Sequence, residues 1–139
     1  MGNRERILER SLQLMNEEGA EAASTTRIAA ELGISPGNLY YHFKNREEIV
    51  RVLFDSLEAE FRAVLVEDVE PPISPARFAA YYERSFDLAW RYRFFFGDLL
   101  GLLRRDDALA ARYRALQDWA VAELEKTAGQ FVKDGSMTR

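Results

Sequence analysis

Apolar residues along this chain recur at spacings of three and four, and no run alternates with period two, so the pattern predicts helices throughout. A first helix is predicted over roughly 4–18, with Ile7, Leu8, Leu12 and Met15 as its stripe and Glu5, Glu9, Arg10, Gln13 and Glu17 opposite. Gly19 stands where a left-handed C-terminal cap belongs. Ser24 or Thr25 can cap a short second helix whose stripe is Ile28, Ala29 and Leu32, and Gly33 stops it. Ser35 offers a capping oxygen and Pro36 suits the first helical position, where no amide proton is needed, so a third helix covers about 36–42 with Leu39 and Phe43 inward. Only Gly33, Ile34 and Ser35 separate these two helices, which must therefore cross at a steep angle. Asn45, with Glu48 three residues on, repeats the capping pattern ahead of a long helix over roughly 46–66. Its stripe is Ile49, Val50, Leu53, Phe54, Leu57, Phe61 and Val64.

The clearest boundary follows at Glu70, Pro71, Pro72 and Ile73, after which Ser74 and Pro75 cap and start another helix. Beyond it the pattern predicts helices at about 75–91, 93–104 and 107–132, with breaks at Tyr92 and at 104–107 and with Asp106 or Asp107 as a cap. The fold class is all-α: a three-helix headpiece joined by a long helix to a second helical unit. The expected division is 1–46 and 47–139.

Composition narrows the chemistry. The 139 residues are 47% hydrophobic, enough for a core and too many for disorder. The absence of cysteine excludes disulfides, thiolate metal sites and a cysteine nucleophile, and a single histidine excludes an internal histidine-pair metal site. The longest apolar stretch, residues 94–103, is interrupted by Asp98 and falls far short of the roughly 20 residues a membrane span needs. The charged N-terminus lacks the apolar segment of a secretory signal. A soluble cytoplasmic protein with no cofactor and no metal is the expectation. Net charge is −4, which at first argues against a nucleic-acid partner. Residues 24–46, however, carry Arg27, Lys44 and Arg46 against Glu31 alone, and a duplex is contacted by a face rather than by a whole domain.

That same segment, STTRIAAELGISPGNLYYHFKNR, holds two short helices about a glycine-containing turn, the second well capped. This is a helix-turn-helix, a unit that lays its second helix in the DNA major groove. Ser24, Thr25 and Thr26 start the first of the two helices, where hydroxyls and free amides can bind a phosphate; one of them can equally be only a cap. Ser35, Pro36, Gly37 and Asn38 form the leading turn of the second helix, the end that meets base edges. Gly37 lets backbone approach the groove, and the Asn38 amide can pair with adenine. Tyr40 and Tyr41 are adjacent and cannot share one buried face, so at least one is exposed and can donate to phosphate. Lys44 suits a simple phosphate contact, Arg46 does so less well, and Arg27 can reach the backbone or the groove wall.

Thr25-Thr26, Ile28-Ala29, Leu32-Gly33-Ile34-Ser35, Gly37, Leu39-Tyr40-Tyr41-His42-Phe43 and Lys44-Asn45-Arg46-Glu47 resemble the TetR family of bacterial repressors almost position for position, over about 4–60. The resemblance implies a ligand-responsive regulator that binds a double-stranded DNA operator as a homodimer, with Tyr40 and Tyr41 on DNA and His42 as a phosphate neighbour. It also implies a small-molecule effector of unknown identity for the C-terminal unit.

Residues 71–139 hold 12 of the 17 aromatics. Phe78, Tyr82 and Phe86 share one helical face, with Trp90 a turn further. They read either as helical core or as the walls of an effector pocket. Phe95 would join such a pocket, with Asp98, Tyr113 and Trp119, beside Tyr82 and Trp90, as its polar groups. Asp98 can instead face solvent between two apolar stripes. Relatives implied by the resemblance usually continue through two further long helices that pair as a four-helix bundle. The sequence stops at residues 131–139, about where those helices would begin, so the expectation is that they are missing, or that this member dimerises differently.

Two other classes compete with a regulator. A protein-interaction module using the helix-turn-helix as scaffold would suit the overall acidity. An enzyme is disfavoured, because no phosphate-binding glycine loop, HExxH pair or nucleophile elbow occurs. No catalytic residue is assigned.

Overall fold

Five helices begin where a side chain receives a backbone amide left over at a helix start. Ser24 Oγ accepts from the Arg27 amide at 3.2 Å, Ser35 Oγ from Asn38 at 3.0 Å and Ser74 Oγ from Arg77 at 3.1 Å. Asn45 Oδ1 accepts from Glu48 at 2.9 Å, while the Glu48 carboxylate takes the Lys44 amide at 2.9 Å. Asp106 Oδ1 accepts from Ala108 at 3.1 Å and Leu109 at 3.3 Å. In the computed structural model, which describes residues 1–67 and 74–133, the resulting order is α1 (Asn3–Glu18), a 3-10 turn (Ala20–Ala22), α2 (Thr25–Leu32), α3 (Pro36–His42) and α4 (Arg46–Glu67). Then come α5 (Pro75–Arg91), α6 (Arg93–Gly97), α7 (Leu99–Arg105) and α8 (Asp107–Lys133), with no strand among the described residues. The boundary expected at Glu70, Pro71, Pro72 and Ile73 lies outside those residues, as does the end of the chain from Asp134.

Two local expectations are corrected. Gly19 has φ 93° and ψ 158°, so its backbone is extended at positive φ rather than left-handed helical; glycine is still what that φ favours. The left-handed cap belongs to Gly33, at φ 68° and ψ 27°, where the Ile34 amide returns to the Ala29 carbonyl at 3.0 Å. The helix expected over 93–104 is divided at Asp98 into α6 and α7. The apolar stripe runs on across that break, so periodicity does not record it.

One core spans the described residues. Ile7, Leu14 and Met15 of α1, Ile28 and Ala29 of α2, and Leu39 of α3 are buried together with Phe43. From α4, Ile49, Val50, Leu53, Phe54 and Leu57 extend that cluster to Phe94 and Phe95 of α6, Leu102 of α7, and Leu109 and Leu116 of α8. Two polar links tie the ends of this core together. The Asn16 amide donates to the Arg91 carbonyl at 2.8 Å and accepts from the Phe94 amide at 3.0 Å, so α1 clamps the junction between α5 and α6. Arg51 on α4 donates to Asp106 at 2.8 Å, using the carboxylate oxygen that the cap of α8 leaves over.

Candidate nucleic-acid interface

The short turn and the cap at Ser35 turn α3 outward from the headpiece. Leu39 and Phe43, each 2% exposed, anchor its inner face, while Tyr40 and Tyr41 stand 61% and 84% exposed. Both tyrosines therefore face solvent. A groove of about 360 Å³ opens between the start of α2 and the outer face of α3. Thr25, Thr26, Pro36, Gly37, Tyr40 and Lys44 line it, above a floor of Leu39 and Phe43. Two consecutive helices thus bring hydroxyls, a phenol and an ammonium to one concave strip.

The remaining sequence-selected residues divide into those left open and those engaged. Ser24 and Ser35 accept cap bonds, which leaves their hydroxyl protons to donate outward. Asn38 is exposed, and its Oδ1 accepts from Asn3 Nδ2 at 3.3 Å. His42 is half-buried and meets the Tyr41 ring edge-on, with centroids 5.1 Å apart. The Lys44 side chain is exposed and forms no ion pair among the described residues. Arg27 is different. Its guanidinium reaches Glu18 at 2.6 Å and lies 3.9 Å from Glu31, so it closes on α1 and its own helix rather than projecting to the groove. The hydrogen bond it donates to the Glu18 carboxylate raises its already high pKa. Arg46 likewise donates to the Glu21 carbonyl at 3.0 Å.

α1 adds a cation that sequence reasoning did not select. Arg4 is exposed and lies over the Phe43 ring at 5.3 Å, beside the end of α3. Nothing in the sequence marks it, because its neighbour is 39 positions away and the contact exists only when α1 packs across the helix-turn-helix.

The second expected site is not gathered as a set. Phe78, Tyr82, Phe86 and Trp90 form a stripe on α5 that is 59–66% exposed. They are not core, and only Tyr82 and Phe86 share a pocket, a shallow one of about 240 Å³ on the helix surface with Glu83 and Asp87. A four-residue spacing places them on one face, but α5 packs inward through Leu88, and the aromatic face is the outer one. Trp90 stacks beneath Arg93 at 4.4 Å. Asp98 pairs with Arg105 at 2.7 Å, and Arg105 also reaches Glu21 at 3.3 Å. A Cβ on Gly101 would sit 2.4 Å from the Asp98 carboxylate, so glycine at that position makes room for the pair. Trp119 lies under Arg62 at 4.4 Å.

Only Phe95 and Tyr113 of the expected set line an apolar cleft of about 250 Å³. Its other walls are Phe54, Leu57 and Phe61 of α4, Phe96 of α6, and Leu116, Gln117 and Ala120 of α8. The signal for the α4 residues was their stripe, which was legible as core; that the stripe continues past the headpiece into a cleft follows from where α6 and α8 pack. Among the described residues no group of three or more acidic or histidine side chains could hold a metal, and no helix is long and apolar enough to cross a membrane.

Comparison with known proteins places the two parts of the chain in one group. Residues 7–53 match the family model described as bacterial regulatory proteins, tetR family, and residues 56–139 match that of the TetR bacterial transcriptional repressor. A crystal structure of a TetR-family transcriptional regulator from Marinobacter aquaeolei VT8 superposes on 97% of this chain and 66% of its own, with a TM-score of 0.88 and 37% identity. The class D tetracycline repressor protein of Escherichia coli is 39% identical over 61 residues, which are 44% of this chain and 26% of the repressor. An HTH-type transcriptional regulator of Staphylococcus aureus is 51% identical over 47 residues, 34% of this chain and 25% of its own. The chain thus spans about a quarter of the length of these curated relatives.

Proposed function

From the premise that the chain belongs to the TetR family of bacterial transcriptional regulators, we propose that it is a ligand-responsive repressor that binds a palindromic operator as a homodimer. Its DNA-binding domain is residues 1–46 and its effector and dimerisation domain starts at 47. It works in the cytoplasm, on the nucleoid, and performs no catalysis.

The observation that carries this reading is the groove in which Thr25, Thr26, Gly37, Tyr40 and Lys44 converge beside an outward-facing α3. Phosphate contacts hold the headpiece in register: the free amides and hydroxyls at the start of α2, the Tyr40 and Tyr41 phenols, His42, and the Lys44 ammonium. Base reading falls to the leading turn of α3. There Ser35, Pro36 and Gly37 bring backbone close, and the Asn38 amide retains its two protons for a base edge once Asn3 has taken its oxygen. Arg4 joins the phosphate contacts from α1.

Effector response follows from what α4 touches. Its first turns hold the headpiece core through Ile49 and Val50, and its middle turns wall the cleft through Phe54, Leu57 and Phe61. Occupancy of the cleft favours one arrangement of α4 and α6, and it shifts the equilibrium only by its difference in affinity between the two arrangements.

Selection of bound fragments from a random duplex pool tests the proposal. The expected result is a site with two-fold symmetry whose half-site centres lie about 34–36 Å apart or a multiple of that. Recovery of no preferred site, or of one without a two-fold, overturns it.

A further inference from the structure

Resting on the reading of the cleft between α4, α6 and α8 as an effector site, we infer that its ligand is a neutral aromatic molecule of one or two rings bearing a single hydroxyl.

No residue lining the cleft is charged. Two cations that lie against its walls or next to them are already engaged. Arg112 lies over the Phe54 ring at 5.0 Å and pairs with Asp55. Arg62 lies over Trp119 at 4.4 Å and within 3.8 Å of Glu58. A carboxylate or ammonium entering the cleft would give up hydration and find no opposite charge in return, which is strongly unfavourable.

Five rings contribute to the lining: Phe54, Phe61, Phe95, Phe96 and Tyr113. Phe95 meets Phe96 edge to face at 5.7 Å and Tyr113 at a tilt, with centroids 5.8 Å apart, so the lining is an aromatic cluster that suits a flat guest. The volume of about 250 Å³ compares with roughly 150 Å³ for an apolar cavity that holds benzene, and the excess suits a second fused ring or a short substituent.

The polar groups of the lining are a coupled pair at its rim. Gln117 Nε2 donates to the Tyr113 phenol oxygen at 3.3 Å. That bond turns the phenol proton away from Gln117 and leaves the Gln117 carbonyl oxygen unused by Tyr113. A ligand hydroxyl can accept from Tyr113 and donate to Gln117 at once, whereas a hydrocarbon uses neither group.

Isothermal titration of the full chain at pH 7, without DNA, tests the assignment with 2-naphthol, naphthalene and 2-naphthoate as probes. The expected result is saturable binding of one 2-naphthol per chain, with naphthalene several-fold weaker and 2-naphthoate at least about tenfold weaker. Tyr113→Phe should lower the affinity for 2-naphthol to near that of naphthalene and leave naphthalene unchanged. Ala120→Phe should abolish binding of both, with an unaltered helical circular dichroism spectrum showing that the fold persists. Leu116→Met, a near-isosteric change in the same wall, should retain binding and serves as the check if the larger side chain unfolds the protein. The inference is overturned if 2-naphthoate binds as tightly as 2-naphthol, if no probe binds, or if the Tyr113→Phe preference is unchanged. It is equally overturned if sedimentation shows that Ala120→Phe converts a dimer to a monomer, since the occupant is then another copy of the chain. Because the titration contains no DNA, its failure is separate from failure of the operator selection, which uses no ligand.

Discussion

Lys44 and Arg27 lie within one helix-turn-helix and carry the same charge, but they spend it differently. Arg27 is held by Glu18 at 2.6 Å and faces Glu31, whereas the Lys44 ammonium has no ion-pair partner among the described residues. A cation that neutralises a phosphate releases a counterion, so its loss shows in the salt dependence of binding. Lys44→Ala should weaken binding to all duplexes and lower the slope of log K against log salt by about one unit, while Arg27→Ala leaves that slope unchanged. Fluorescence anisotropy across a salt series reads both. Glu31 bears on stability instead. The Arg10 hydrogen bond is the largest influence on its carboxyl and holds it below the ordinary value, outweighing the opposing effect of burial. A depressed folded-state pKa stabilises the fold above the unfolded value of about 4.3 and loses that effect as pH falls through the lowered folded value. Glu31→Gln should therefore flatten the fall in melting temperature on the acid side and leave its shape near pH 10 unchanged. Tyr92 acts at that other end: burial, then the negative charge of Glu60, raises its phenol. Its contribution is full below about pH 10 and is lost as pH rises through the raised value.

At the scale of elements, helix starts were legible and helix surroundings were not. Ser24, Ser35, Asn45 and Ser74 all cap where the sequence places a capping oxygen, because capping is a contact between residues two or three apart. The break at Asp98 and the outward turn of the α5 aromatics are different in kind. Spacing places Phe78, Tyr82, Phe86 and Trp90 on one face, but which face meets the core depends on α4. The short helix α6 depends most on such distant support. With five residues it has little stability of its own, and Asn16 of α1 holds the amide of its second residue, Phe94, and the last carbonyl of α5. Asn16→Ala should cost about 1–2 kcal/mol in chemical denaturation and speed hydrogen exchange of the α6 amides. Asn16→Asp keeps the acceptor for Phe94 and should recover part of that protection.

For the molecule as a whole, the decisive feature is that headpiece and cleft share α4 and one apolar cluster. Phe54 is 1% exposed, meets Phe95 at a ring separation of 5.3 Å, and also walls the cleft. Phe54→Ala should destabilise by about 3–5 kcal/mol and lower the midpoint of a single unfolding transition recorded by both helix signal and tryptophan fluorescence. Two separated transitions would mean that the cluster does not couple the two parts. The sequence by itself determined the helical class, the caps and the helix-turn-helix with at least one outward tyrosine, since all of these follow from residues within a few turns of one another. It also carried the family, because the diagnostic residues are contiguous. Only the tertiary structure decided that Arg27 is withdrawn, that Arg4 joins the α3 flank, and that the cleft is built from α4, α6 and α8 rather than from the aromatic stripe of α5. Those outcomes depend on which helix faces meet across long stretches of chain, and periodicity fixes a face without fixing its neighbour.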